Sequence, residues 1–291
     1  MSDERNTYVG GPAAATIIGV NPFETPLALW QRLTNRAEPV EVNDAMRSGM
    51  RLERAVLDYA AEELQQTVLP GPFIRDLQLP LGGHLDGLTE GGDVVEAKTA
   101  RKRADWGEPG STVVPLGHQV QCLHYLGLMP RAQVAWVPVL FSGLEFAMFK
   151  VERNDELIRQ IREICAAWWQ THVVGDVPPL PQTGADVALL FPKDTGRTVI
   201  ADDAVAEAVE RLRAVKNIVS ELEDEREALE DRIKLCMGDA ATLTLPSGEV
   251  GATWKSTKPA QRFDAAAFKV AQPDVYTQFC RAVDGRRFLL K

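Results

Sequence analysis

The residue types best suited to chemistry are His84-Leu85-Asp86-Gly87 and, shortly after, Val94-Val95-Glu96-Ala97-Lys98-Thr99. Alternation along a strand places Glu96 and Lys98 on one face, and a hairpin partner brings Asp86 beside them. Two carboxylates and an ammonium then converge at one place on a sheet. Carboxylate oxygens together with the Ala97 backbone carbonyl are hard ligands suited to Mg2+ or Mn2+, ions that keep several of their waters. A cation there eases loss of a proton from water, and Lys98 can orient that water or offset charge growing on a phosphate. The bland alternative is a structural Asp–Lys–Glu network on a solvated hairpin, since Glu-x-Lys is a common tripeptide.

The surrounding elements favour the chemical reading. Glu96-Ala97-Lys98 follows the apolar Val94-Val95, so it is half-buried, where unpaired charge is costly. Asn43 to Leu64 reads as a long helix, with Met46, Met50, Leu52, Val56, Tyr59, Ala60 and Leu64 near helical spacing, and it carries Glu53 beside Gly49. Gly117 to Leu128 reads as a second helix carrying Gln119, Gln121 and Tyr125, the last two on one face. Between these helices lie strand-like runs at Phe73 to Leu79, Gly82 to Leu88 and Asp93 to Thr99, the last two a hairpin across Thr89-Glu90-Gly91-Gly92. Gln133 to Phe141 and Leu144 to Val151 follow as β-rich runs, then a helix capped by Asn154 and running to about Val173. The pattern predicts an α/β domain on a mixed sheet flanked by helices.

At this point the order of motifs is specific: GG…AA..IG.NPF…LW, then G…LE, H-x-DG, ExK and HQVQ..HYL. It resembles the YqaJ-type viral recombinase family, close to phage lambda exonuclease within the PD-(D/E)XK nucleases, over roughly Tyr8 to Val173. The TWK and RRF patterns at Thr253-Trp254-Lys255 and Arg286-Arg287-Phe288 resemble the C-terminal regions of some phage members. The resemblance implies a PD-(D/E)XK core and a two-metal, Mg2+-dependent 5′→3′ exonuclease. Such an enzyme digests one strand of duplex DNA ends and leaves a 3′ overhang for a single-strand annealing protein. It also implies a homo-oligomer, in lambda exonuclease a trimeric ring. Carried over by position, Asp86 and Glu96 are the main metal ligands, Glu53 completes the site, and Lys98 positions or activates the attacking water. Gln119 and Gln121 support the site or contact the cleaved strand, unless they only cap and pack their helix. His84 is not required as a ligand and reads as a surface or supporting histidine.

Two departures stand out. Lambda-type members bind the 5′-phosphate through an N-terminal Arg and a following Ser; here Arg5 is at the compatible spacing, but Pro12 stands where the serine falls. Recognition of the 5′ end is then either altered or borne by backbone N–H groups near Gly10 and Gly11, which leaves strict 5′-phosphate dependence open. Leu85 replaces the proline of the PD signature. Arg47, Arg51 and Arg54 around Glu53, and Arg101, Lys102 and Arg103 beyond Lys98, are candidate phosphate contacts because they flank the carboxylates. Trp106 can stack at a DNA end or pack under its own loop, and Tyr125 is a further candidate for DNA contact. A RecB-like or CRISPR-associated nuclease shares Gln121-x-x-x-Tyr125 but has no support from clustered cysteines, and a non-cutting DNA-binding scaffold is the rival from another class.

The whole chain has 291 residues, 45% of them hydrophobic, and a formal net charge of −9, which argues at first against a polyanionic partner. The charge is uneven, however. Positions 201–236 hold eleven acids against six bases, whereas Gly251 to Lys291 holds eight bases against three acids. The four cysteines are far apart and lack CxxC spacing, so neither a zinc site nor a disulfide framework is expected. No run approaches the ~20 apolar residues of a membrane span, and the expectation is a cytoplasmic protein of a bacterial host cell. The Pro-rich stretch 177–185 divides an expected core, 1–176, from a C-terminal extension, 186–291. In that extension Val205, Val209, Leu212, Val219, Leu222, Leu229, Ile233 and Cys236 form a seam, predicting a long helix or coiled-coil arm over 201–237. A small hairpin and a basic tail ending in an apolar strand follow. The arm is also a candidate surface for the annealing partner.

Overall fold

The computed structural model describes residues 4–37, 42–258, 262–281 and 285–291. The chain divides into two compact units, Met1–Leu190 and Phe191–Lys291.

The first unit opens with three helices whose starts are written in the sequence. Helix α1 (Gly11–Ile18) has Pro12 in its first turn, where a missing N–H is harmless, and stops at Gly19 with φ 84°. Helix α2 (Pro26–Leu33) is capped by Thr25, and α3 (Asp44–Leu64) by Asn43, whose side chain accepts the Met46 N–H. Short strands follow: β1 (Val68–Pro70), β2 (Phe73–Arg75), β3 (Gly82–His84), β4 (Gly87–Thr89), β5 (Val94–Val95) and β6 (Lys98–Ala100). After α4 (Leu116–Leu128) come the long strands β7 (Val134–Phe141) and β8 (Glu145–Glu152), then α5 (Asp155–Trp168), a π-helical stretch at Trp169–Val174 and α6 (Gly184–Leu190). Asn154 caps α5 as expected, accepting the Leu157 N–H at 3.0 Å. The architecture is the expected α/β arrangement, a mixed sheet with helices on it.

Strand β7 organises the sheet. Strands β5 and β6 run parallel to it, one after the other, while β8 lies antiparallel to it over its full length. Strand β4 pairs antiparallel with β5 and with β1, so the expected hairpin around Gly91-Gly92 forms, with Gly87 opposite Val95. Asp93 fastens this hairpin to β7 by accepting the N–H groups of Gln133 and Val134.

Two of the expected strands are broken. Gly82 to Leu88 divides into β3, which pairs with β2 in a separate two-stranded sheet, and β4, which joins the large sheet; Leu85 and Asp86 lie between them. Asp93 to Thr99 likewise divides into β5 and β6, with Glu96 and Ala97 between. The second break has a covalent cause. The Glu96 N–H donates to the Trp136 carbonyl, and a regular parallel ladder would return a bond from residue 138 to the Glu96 carbonyl. Residue 138 is proline, which has no N–H to give. Phe73 to Leu79 is strand only to Arg75, because the Asp76 side chain accepts the N–H groups of Gln78 and Leu79 and turns the chain.

Alternation along β5 sends Val94 and Val95 into two different cores. Val94 joins the main core with Ala135, Val137, Val139, Phe149, Leu126 and Ile158, under α1, α4 and α5. Val95 joins Leu57 and Ala60 of α3 and Met148 of β8. Phe149 is wholly buried, and burial of a side chain of that size stabilises by roughly 1.5–3 kcal/mol. The buried side chains of α3 are in its C-terminal half, Val56, Leu57 and Ala60; its N-terminal half meets β6 through Gly49, where a Cβ would lie 3.7 Å from Thr99 Oγ1, and Met46, Met50 and Leu52, expected on its apolar face, are exposed.

The Pro-rich stretch is not where the units divide. Helix α6 stays with the first unit because buried Asp186 accepts from the Thr25 hydroxyl at 2.6 Å and from the N–H groups of Gln182 and Thr183. The second unit contains α7 (Asp203–Met237), the hairpin β9 (Thr242–Thr244) and β10 (Val250–Thr253), and the short helices α8 (Ala265–Ala271) and α9 (Pro273–Gln278). The arm is thus one continuous helix and not a helical hairpin. The expected last strand at Arg287 to Leu290 is irregular. Among the described residues no helix is long and apolar enough to cross a membrane.

Candidate active site

Both strand breaks fall side by side, and the side chains released there meet. The Ala97 N–H, having no ladder partner, donates to Asp86 Oδ2 at 2.9 Å. Glu96, on the same face of the sheet as Val94, points under α4 and is 2% exposed. Its Oε1 accepts from Lys98 Nζ at 2.5 Å and from Gln121 Nε2 at 2.6 Å, and Gln121 lies 3.4 Å from the Tyr125 hydroxyl. Its Oε2 is buried with no hydrogen-bond partner. Lys98 keeps 17% of its side chain exposed.

The electrostatics follow from burial and from like charges at close quarters. Burial, and then the Glu96 charge, push the Asp86 carboxyl up to about 7, with Lys98 and the Ala97 N–H opposing. Glu96 is also raised, chiefly by burial. Burial favours the neutral amine of Lys98, but the charges of Glu96 and Asp86 outweigh it and hold the ammonium above its ordinary range. Lys98 is therefore a cation that can orient a ligand or offset negative charge, and a poor proton acceptor. Desolvation and the Asp86 charge raise Glu53, whose side chain is exposed. Glu53 comes from α3, which covers the sheet face opposite α4, and its charge in turn helps to raise Glu96.

Asp86 and Glu96 thus stand together at the junction, with the Glu53 charge coupled to both. Among the described residues no three His, Cys, Asp or Glu side chains are grouped closely enough to hold a metal ion between them alone. The donor set still fits Mg2+, which commonly takes one or two carboxylates and keeps its waters. The unpartnered Glu96 Oε2 is the feature of this site that a cation would satisfy, since a buried bare carboxylate oxygen is otherwise costly.

The other expected residues separate into groups. Gln121 reaches Glu96, whereas Gln119, two positions away and so on a different face of α4, is not joined to it. Tyr125 is 4% exposed, which removes it from DNA contact; Gly11 and Gly83 lie so close to its ring that a Cβ on either would come within 2.9 Å and 2.5 Å of it. Trp106 is half-buried and packs on Phe149, Phe141 and His118, with ring centroids 4.9, 5.8 and 5.5 Å apart, so it lies under its own loop. His84 is exposed and packs on Phe73. Arg47 pairs with Asp44 at 2.6 Å, Arg54 with Asp58 at 2.8 Å, and Arg103 with Glu145; Arg51, Arg101 and Lys102 are exposed. The side chain of Arg5 lies outside the described residues.

Two histidines went unread in the sequence. His118, one turn before Gln121 and Cys122, sits within reach of the Lys98 charge, and burial with that charge lowers it to about 4, so it is a neutral imidazole. Its spacing of three and four from Gln121 and Cys122 is the signal that could have found it. His124 is wholly internal, and its Nε2–H donates to the Gly82 carbonyl at 3.0 Å, fastening α4 to the strand that leads into Asp86.

Comparison with known proteins bears on the family. Residues 2–129 match the family model of the YqaJ-like viral recombinase domain. The protein YqaJ of Bacillus subtilis (strain 168) is 27% identical over 305 aligned positions, spanning 99% of this chain and 92% of that one. Among solved structures, an alkaline exonuclease (LHK-Exo) from Laribacter hongkongensis is similar at 18% identity and a TM-score of 0.45, covering 59% of this chain and 91% of its own. A phage related exonuclease from Haemophilus somnus 129PT is similar at 11% identity and a TM-score of 0.45, covering 58% and 96%. The resemblance drawn from the GG…NPF, H-x-DG, ExK and HQVQ motifs thus holds over residues 2–129.

Proposed function

We propose, from a chain whose residues 2–129 carry a YqaJ-like viral recombinase domain, that the protein is a Mg2+-dependent exodeoxyribonuclease. It acts on ends of linear duplex DNA, digests 5′→3′ and leaves a 3′ strand for an annealing protein. The observation that carries this reading is the junction of the two broken strands, where Asp86 and Glu96 stand beside Lys98 with Glu96 Oε2 bare.

In this mechanism Asp86 and Glu96 hold the divalent cation, with the Ala97 carbonyl as a further oxygen and Glu53 acting through its charge. When bound, the ion supplies Lewis-acid assistance to water and to the scissile phosphate. Gln121 and Lys98 hold the Glu96 carboxylate in one orientation, so its free oxygen is aimed without reorganisation. The Lys98 ammonium orients the attacking water and offsets the charge that develops on the phosphate. The exposed Arg51, Arg101 and Lys102 supply backbone contacts, and Arg47, Arg54 and Arg103 can exchange their surface carboxylates for phosphates, since exposed ion pairs are worth only ~0–1 kcal/mol. Gly11 lies against Gln121, so the N-terminus of α1 is close to the site, and its backbone N–H groups take the 5′ end in place of the missing serine.

The test is digestion of 5′- and 3′-labelled linear duplex with Mg2+, comparing the parent protein with Lys98→Ala and Glu96→Ala. Nucleotide release from the 5′-terminated strand is expected from the parent alone. Activity untouched by both substitutions eliminates this site, and DNA binding without Mg2+-stimulated release would instead mark a non-cutting scaffold. Duplexes bearing 5′-OH ends test recognition by backbone groups.

A further inference from the structure

Helix α7 is 35 residues long, about 52 Å at 1.5 Å per residue, and among its residues only Met237 is buried. Its core positions follow a seven-residue repeat that is apolar throughout except at Arg226. The first core position of each heptad is Val205, Leu212, Val219, Arg226 and Ile233; the second is Ala208, Val215, Leu222, Leu229 and Cys236. The positions farthest from that seam, Glu210, Asn217, Asp224 and Asp231, are all polar. Yet Val219, Leu222 and Leu229 are 48%, 57% and 53% exposed. Within this unit the end of the chain does not cover them: the Lys291 carbonyl accepts from Arg213, which lies off the seam. A seam of this kind is the surface by which one helix packs on another.

We propose that the occupant is α7 of a second copy of this chain, packed antiparallel and centred near Asn217. The flanking charges decide both identity and direction. In a parallel pair Arg211 faces Lys216 of the other copy and Glu225 faces Glu230, so each of these contacts is repulsive. A parallel pair also lays the two acidic halves together: positions 219–236 carry seven acids and three bases, whereas 203–218 carry three of each. Reversal places each acidic half beside a balanced one and sets Arg211 of each copy against Glu225 of the other. The core layers match in that register: Leu212 meets Leu222, Val215 meets Val219 and Val205 meets Leu229. Arg226 falls opposite Ala208, whose small side chain leaves room for it, and its guanidinium already pairs with Glu230 of its own helix at 2.8 Å. Lys216 meets its own counterpart at the water-exposed centre, an unfavourable contact that solvent weakens.

The experiment uses the full chain with the exposed Cys236 and Cys280 changed to Ser; Cys122 and Cys165 are buried. Leu212→Cys and Leu222→Cys proteins are prepared separately, then oxidised mildly alone and after mixing. A disulfide-linked dimer is expected from the mixture and from neither protein alone. Self-linking of each protein alone would overturn the antiparallel arrangement, and no link in any tube would overturn pairing through α7, leaving the seam to a different protein. In parallel, sedimentation equilibrium of Arg211→Glu should show self-association weakened about tenfold, with the double variant Arg211→Glu/Glu225→Arg restored. Both positions are exposed, so circular dichroism should stay that of the parent. Equal association of all three proteins would overturn the charge pairing.

Discussion

Gln121 and Gln119 separate the residue that shapes the site from its neighbour. Gln121→Ala removes a donor from Glu96 Oε1 and leaves Lys98 to hold that carboxylate alone. Loss of a group that orients a ligand typically lowers metal affinity about 10–100-fold. The Mg2+ concentration for half-maximal nuclease activity should rise by that order, with unfolding unchanged, and Gln119→Ala should match the parent. An equal Mg2+ requirement in both variants would refute the role given to Gln121. Asp86 supplies a pH dependence. Its carboxyl lies near 7 in the folded chain and at 3.8 ordinarily. The stabilisation from its bound proton is therefore complete below about 4 and is lost as pH rises through about 7. The metal-free protein should lose thermal stability over that interval, and added Mg2+ should raise the melting temperature more at pH 8 than at pH 6. Nuclease activity should climb up to about tenfold per pH unit below 7 and level above it. A flat profile between pH 6 and 8 would contradict this assignment.

At the scale of elements, the site depends on α1, α4 and two interrupted strands fitting closely. Gly11 is where this fit can be probed, since a Cβ there would come within 2.6 Å of Gln121 Cγ and 2.9 Å of the Tyr125 ring. Gly11→Ala should cost about 1–3 kcal/mol by overpacking, read as a lower urea midpoint, and should lower activity further by displacing Gln121. Parent-like stability would mean that α1 does not press on α4. The elements themselves were legible in composition: Asn154 and Asn43 announce helix starts, and Gly91-Gly92 the hairpin. The strand breaks were not. Glu96-Ala97 reads as the middle of an alternating strand, and only pairing with β7 brings Pro138 opposite it. Met46, Met50 and Leu52 failed as core residues because helical spacing does not say which side of a helix the sheet meets, and in these turns β6 is met by Gly49.

At the scale of the whole molecule, the chain consists of two units with different needs. The first has its own core of buried aliphatic and aromatic side chains, and residues 1–190 should fold alone with a single cooperative urea transition followed by circular dichroism. A fragment lacking such a transition would show that Phe191–Lys291 completes its stability. Of the net charge of −9, residues 1–190 carry −8 and residues 191–291 only −1, because the acidic surplus of α7 is nearly offset by the basic residues of the tail.

The sequence by itself determined the kinds of groups available: two carboxylates and a lysine near a hairpin, a glutamine-bearing helix, and a seven-residue apolar repeat. These are properties of residue type and spacing, which covalent structure fixes. Only the tertiary structure decided that Glu96 is buried and doubly held, that Glu53 comes from the opposite layer, that Tyr125 and Trp106 are packed inside, and that Gln121 rather than Gln119 faces the carboxylate. Burial and mutual distance belong to what lies across from a residue, and that partner is chosen by packing between segments remote in the chain.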